Sequence, residues 1–224
     1  EIYYGISRLA VTNTALNNVV QMDMANSQCW AVLSDGTVKA CGGNTYGVLG
    51  NGNTTLQESW VTSNITNVAR ISAGLNFALA LKNDGTIWGI GANHDGQLGL
   101  GTGQGNTHSV WIQSTTSTHT GNVVDIQSGY GHSFLITDTG EVRCVGRGSS
   151  GQLGLGSTTL QTSWQTPSLG LSGTPTMLAV GYFDSAVLSS AGDVAVCGSG
   201  NNGMHGIGTI AQSTSFILSN ITGV

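Results

Sequence analysis

The sequence predicts an all-β protein, a β-propeller built of repeats of about 50 residues. Three observations carry that prediction. The segments SDGTVKACGGNTYGVLGNG, NDGTIWGIGANHDGQLGLG, DTGEVRCVGRGSSGQLGLG and SAGDVAVCGSGNNGMHGIG are variants of one pattern, with Gly36, Gly85, Gly140 and Gly192 spaced 49, 55 and 52 residues apart. Ahead of each lies a second recurring segment: VVQMDMANSQCWAVLS, VARISAGLNFALALKN, VVDIQSGYGHSFLITD and PTMLAVGYFDSAVLSS. Behind each an aromatic returns, at Trp60, Trp111, Trp164 and Phe216. Coincidence at three places in every unit means one motif used four times.

In chain order, residues 1–18 read as the last strand of a preceding blade, because SRLAVTNTALNNV aligns with QESWVTSNITNV and sets Ala10 at the Trp60 place. Repeat 1 then covers 19–67, repeat 2 68–122, repeat 3 123–174 and repeat 4 175–224, all in one propeller domain. Each reads as three or four short antiparallel strands. In FALALKNDGTIWGIG, Phe77, Leu79 and Leu81 share one side, and Ile87 opposes them after Asp84-Gly85. Asp-Gly tolerates the positive φ that a tight hairpin demands. Glycines at the ends of the third strand allow close backbone approach near a crowded axis. The segments SWVTS and SVWIQS supply a further strand. No unit holds a useful 3.6-residue apolar period, which excludes a helical solenoid.

Composition narrows the function. Only 8% of the 224 residues are charged, against about a quarter in an ordinary domain. Net charge is −5, and six Lys and Arg are scattered singly, so no basic footprint for nucleic acid or an anionic membrane exists. No window approaches the ~18 unbroken apolar residues of a membrane helix. HExxH, GxSxG, phosphate-loop and dinucleotide-binding patterns are absent from the sequence, and three glutamates (Glu1, Glu58, Glu141) leave no paired carboxylates for glycoside hydrolysis. The GQLGLG runs read as turns of a β fold, with no following helix to hold a phosphate. No enzyme, cofactor or metal site is expected. Cys29, Cys41, Cys144 and Cys197 sit in apolar stretches and read as small buried hydrophobes, with a disulfide as the alternative.

The pattern AGxxxxLALxxDGxxWGxGxNxxGQLGLG, met almost without departure from Ile71 to Gly101, resembles the repeat of the regulator of chromosome condensation family. Unit 3 fits through GYGHSF and GQLGLG; unit 1 has Ala25 for a glycine and GVLGNG, and unit 4 drifts to GMHGIG. The resemblance covers essentially the whole chain. It implies wheels similar to seven-bladed rings, so four blades plus one stray strand would be an excerpt, or an open arc completed by a copy of itself or another protein. Such propellers serve as exchange factors, inhibitors, photoreceptors and adhesive modules. The resemblance also gives His132 a structural hydrogen-bonding role, with metal ligation the alternative. The unlike residues at the equivalent places, Gln28, Phe77 and Asp184, argue against a repeated metal site.

Binding is the favoured class. The segment ahead of each second strand varies most, which nominates Asn76, Tyr130, His132, Tyr182 and Asp184. His108, Trp111 and His119 in the longest connection, Thr102–Asn122, are further candidates, with a solvated loop as the default there. The expected role is a non-enzymatic extracellular or virion-surface module, of tail-fibre, decoration or adhesin type. Its expected partners are a protein or a copy of itself, with a host-surface receptor or glycan among them, and neither nucleic acid nor membrane. The alternatives are a secreted enzyme inhibitor and a guanine-nucleotide exchange factor for a small GTPase.

Overall fold

A computed structural model describes residues 16–101, 105–115 and 119–221. The strand expected at residues 7–13 lies outside them. The described residues form four antiparallel sheets of four strands each, every sheet laid down in chain order. The first holds β1 (Val19–Ala25), β2 (Gln28–Leu33), β3 (Val38–Gly42) and β4 (Gln57–Thr62). The second holds β5 (Val68–Ala73), β6 (Phe77–Lys82), β7 (Ile87–Ala92) and β8 (Thr107–Gln113). The third holds β9 (Val123–Ser128), β10 (His132–Thr137), β11 (Val142–Gly146) and β12 (Gln161–Gln165). The fourth holds β13 (Pro175–Val180), β14 (Asp184–Ser189), β15 (Val194–Gly198) and β16 (Ser213–Leu218). These are propeller blades, arranged as an open arc.

The turn between second and third strands is the same in every blade. Gly36, Gly85, Gly140 and Gly192 stand there with φ of 78, 82, 81 and 84°, a left-handed backbone that a side chain resists. Asp35 and Asp84 brace two of these turns by accepting the amides of Thr37 (2.8 Å) and Thr86 (3.0 Å).

The core lies between blades, in three seams. Trp30, Val32 and Ala40 of the first sheet pack on Ile71, Ala78 and Ile90 of the second. Leu79 and Leu98 meet Ile126 and Leu135, and Phe134 and Leu153 meet Leu178 and Val187. Each seam is closed at its outer edge by the aromatic of the following blade. The Trp111 indole donates to Ser63 Oγ of the first blade at 2.9 Å, and Trp164 donates to Ser114 Oγ of the second at 2.9 Å. Beside each ring lies a left-handed glycine, Gly50 for Trp111, Gly99 for Trp164 and Gly154 for Phe216. A Cβ on any of the three would run into the ring. The strand expected at SVWIQS is the outer strand β8, paired with β7 from Trp88↔Gln113 to Ala92↔Thr107; it begins at Thr107 and so takes in His108, which the solvated-loop default for the Thr102–Asn122 connection had left in a loop.

An axial aromatic cluster as candidate functional site

Where the first strand of each blade turns into the second, the backbone rises at the axis of the arc. These turns and the ends of β1, β5, β9 and β13 line a cavity of about 340 Å³, with Asn26, Leu75, Tyr130 and Tyr182 on its wall. Its two halves differ in chemistry. The first two blades contribute Asn26, Leu75 and Ala73; the last two contribute aromatic rings.

The rings are held by the pairing of their own blades. Tyr130 precedes β10, and the Arg147 amide, just after β11, donates to Gly131 O at 2.8 Å, which brings the guanidinium over the ring. Tyr130 lies 4.4 Å from Tyr182 and 5.5 Å from Phe183, centroid to centroid. Tyr182 and Phe183 stand edge to face at 4.4 Å. The Arg147 guanidinium sits 5.3 Å from the Tyr130 ring and 5.7 Å from Phe183, within cation–π range, and its Nε donates to Ser149 Oγ at 2.9 Å. Tyr182 is 55% exposed, so the cluster presents a ring face to solvent. Desolvation and the neighbouring Tyr130 hydroxyl raise the Tyr182 phenol above its ordinary pKa, leaving it a neutral hydrogen-bond donor near pH 7.

Behind this surface the equivalent residue of each blade is structural. His132 is fully buried; its Nε2 lies 3.0 Å from Ser185 Oγ, and that hydroxyl donates to Gln152 O at 2.8 Å. Because the serine proton is committed to a carbonyl, Nε2 must be the donor of the pair. The imidazole therefore cannot serve as a base toward Ser185, and the pair is a clamp between the third and fourth blades. Burial pushes the His132 pKa down to about 3, against a smaller upward pull from Asp184. Gln28 plays the corresponding part in the first blade: two carbonyls, Ala25 O and Leu75 O of the second blade, face the end of its side chain, and the amide orientation they require sets its nitrogen 2.9 and 3.2 Å from them. Asp184 instead turns back on its own blade, accepting from the Gly200 amide (2.8 Å), Ser199 Oγ (3.0 Å) and His205 Nε2 (3.1 Å).

The structure thus brings Tyr130 and Tyr182 together at the axis, with His132 and Asp184 buried or half-buried beneath them. Asn76 stands on the same side, its carbonyl accepting from the Ala92 amide at 2.9 Å. His108 and Trp111 lie on the outer strand β8, and His119 lies beyond it, where its Nδ1 is 3.1 Å from Gly121 O. Those three do not join the axial group. Phe183 and Arg147 do join it and were not singled out in the sequence. The Arg147 signal was present: Gly43, Ala92 and Ser199 hold the equivalent places, so a large cation there departs from the repeat. All four cysteines are free thiols, and Cys29 lies directly across the β2–β3 pair from Cys41. Among the described residues no group of three or more His, Cys, Asp or Glu could hold a metal ion. No helix there is long and apolar enough to cross a membrane.

The regulator of chromosome condensation (RCC1) repeat matches residues 68–97 and 123–152, and again 84–136. Ultraviolet-B receptor UVR8 of Arabidopsis thaliana is 29% identical over 131 residues, 56% of this chain and 29% of the receptor. Human WBSCR16 superposes with a TM-score of 0.81 at 21% identity, over 91% of this chain and 53% of that structure. Prp20p of Saccharomyces cerevisiae, whose structure was described with its binding to Gsp1p and histones, gives 0.82 at 19% identity, over 95% and 52%. The chain spans about half the length of these solved structures and under a third of the receptor.

Proposed function

Built of regulator of chromosome condensation-type β-propeller repeats, this chain is, we propose, a non-enzymatic binding module whose contact surface is the axial end of its third and fourth blades. The observation that carries the reading is the Tyr130–Tyr182–Phe183 cluster with Arg147 laid against it. Rigid rings beside a cation are what a protein loop bearing a carboxylate, or a stacked sugar, would engage. Prp20p, of the same fold, is described binding Gsp1p and histones, and the same protein, yeast RCC1 (Prp20), is described bound to Kap60. Those are protein partners, and by analogy a protein is the first partner class here. The low charge and six basic residues suit work outside the cytoplasm or on a particle surface, where tryptic sites are a liability.

A photo-crosslinking residue at position 182 tests the reading, with one at Val110 on the outer strand as control. Adducts to one protein or glycan from position 182 alone are expected, and they should vanish when Arg147→Ala is added. Equal adducts from both positions, or none from position 182 in the native source, would sink the axial surface as the site.

A further inference from the structure

One cross-strand pair is unlike its equivalents in the other blades. Cys29 on β2 lies directly opposite Cys41 on β3. The corresponding pairs of the other sheets are Ala78↔Ile90, Ser133↔Val145 and Ser185↔Cys197, so of the four described sheets only the first sets two thiols against each other. Strand alternation puts both cysteines on one face, opposite to the face on which Trp30, Val32 and Ala40 build the first seam. A bond between them needs only this hairpin, whatever packs against that face.

The register fixes their spacing. The Leu33 amide donates to Thr37 O at 2.8 Å and the Gly43 amide to Ser27 O at 2.9 Å. Between them the pairing runs without a bulge from Gln28↔Gly42 to Val32↔Val38, so the alternation of the ladder makes Cys29↔Cys41 a hydrogen-bonded pair. Such a pair holds its Cα atoms about 5.5 Å apart, inside the range of about 4.4–6.8 Å that a disulfide spans. Its Cβ atoms stand about 4.5–5.5 Å apart, wider than the ~3.8 Å of a relaxed disulfide. A bridge here can close, and it closes under tension, which makes it easier to reduce. The thiols already act on one another. Burial raises the pKa of both; against it the Trp30 amide and the Cys41 thiol favour the Cys29 thiolate, whereas Cys29 adds to the rise at Cys41. Between the two, ionisation favours Cys29.

We propose that Cys29 and Cys41 form a reversible redox site, closed by a low-molecular-weight disulfide of the glutathione type and reopened by the corresponding thiol. The Cys29 thiolate attacks one sulfur of the small disulfide; that S–S bond breaks, one glutathione thiolate leaves, and a mixed disulfide stands on Cys29. Cys41, giving up its proton, then attacks the Cys29 sulfur and expels the second glutathione. The two protein thiols lose two electrons and two protons, and the small disulfide becomes two thiols. Cys144 and Cys197 serve as internal controls. Their thiols donate to Leu153 O (3.3 Å) and Gln152 O (3.4 Å) in the third seam, and neither faces a cysteine across its own sheet. The site is separate from the axial cluster and does not rest on the binding reading.

Thiol trapping tests the proposal on the whole chain. The protein is equilibrated in buffers of graded reduced and oxidised glutathione, approached from the reduced and from the oxidised chain, then quenched in acid, alkylated in denaturant and digested for mass spectrometry. The expected product is one intramolecular Cys29–Cys41 bridge, lighter by two hydrogens, with Cys144 and Cys197 alkylated throughout. Its population should pass from mostly open to mostly closed over roughly a hundredfold change in the ratio of squared thiol to disulfide, with a midpoint between the poise of a reducing and that of an oxidising compartment. Cys29→Ser and Cys41→Ser should each lose the bridge and carry glutathione on the remaining cysteine in the most oxidising buffers. Four alkylated cysteines at every ratio would overturn the proposal. So would a bridge that survives the most reducing buffer, which would make it a permanent staple, or a bridge that takes in Cys144 or Cys197.

Discussion

The second strand of a blade reads differently in the middle of the arc and at its end. In β6 and β10 nearly every residue is buried, whereas β14 alternates strictly between buried and half-buried positions. The local sequences FALALK, HSFLIT and DSAVLS differ little in propensity for strand. What differs is the neighbour: among the described residues the middle blades are covered on both faces, and the fourth on one. A blade of this kind owes its core to the blades beside it, as in other repeat proteins where interface terms add to weak intrinsic ones. The axial clamps follow the same logic, since His132 and Gln28 reach into the next blade while Asp184 bonds to its own.

The sharpest way to break this comparison is to truncate equivalent aromatics. Trp164→Ala removes a ring buried between two blades and should cost about 3–5 kcal/mol in denaturant unfolding. Trp60→Ala removes a ring that is half-exposed and packs in none of the three seams, and should cost under about 1 kcal/mol. Equal losses would mean that the seams do not carry the core.

Glycine substitutions separate ring contact from backbone. Gly154→Ala and Gly206→Ala place a side chain at φ 66 and 64°, which costs roughly 1–2 kcal/mol in each. Only Gly154→Ala also drives a methyl group into Phe216, so it should destabilise by about 1–3 kcal/mol more.

The His132 clamp makes a pH prediction. Its folded pKa of about 3 lies below the ordinary histidine value of about 6.5, so below about pH 6.5 the unfolded chain binds a proton that the fold refuses. Stability from this group is intact well above pH 6.5 and falls as acid is added, by about 2 kcal/mol on reaching about pH 5. His132→Gln keeps a donor toward Ser185 and should flatten that part of the curve. A curve of unchanged slope would mean that the imidazole is charged or solvated in the fold.

The smallest effect is chemical. Burial raises the Cys144 and Cys197 thiols well above the ordinary range, and both are fully shielded. Cys29 and Cys41 are raised too, burial being the main cause, but they stay half-exposed. Native-state labelling of the reduced chain near pH 8 should modify those two and spare the others; modification of all four at one rate would contradict the burial gradient.

The repeat turns were legible because a left-handed backbone admits few residues, so Gly36, Gly85, Gly140 and Gly192 announce themselves. The blades were legible for the same reason in apolar form: strand alternation and a returning aromatic leave a period that composition cannot mimic. Tyr130 and Tyr182 could be nominated because they break the repeat just where a strand begins. Their partnership could not, since it depends on two turns 52 residues apart meeting at the axis. The resemblance gave His132 a structural hydrogen-bonding role, but not its partner, since Ser185 lies in a different blade. A single repeat specifies its own hairpins; only the stack specifies what its side chains touch.

The matched exchange at the third seam, Phe216 with Pro167 where other seams pair tryptophan with serine, bears on how such arrays can be rebuilt. Blades that look interchangeable carry a lock on one flank and a key on the other, and the third lock is cut differently. Transplanting the fourth blade behind the second would leave Ser114 facing a ring with nothing to donate, while the reverse transplant would bury an indole N–H against proline. Circular permutation that respects each lock–key pair should be tolerated. Shuffling that ignores them should fail at the seam and leave the hairpins intact.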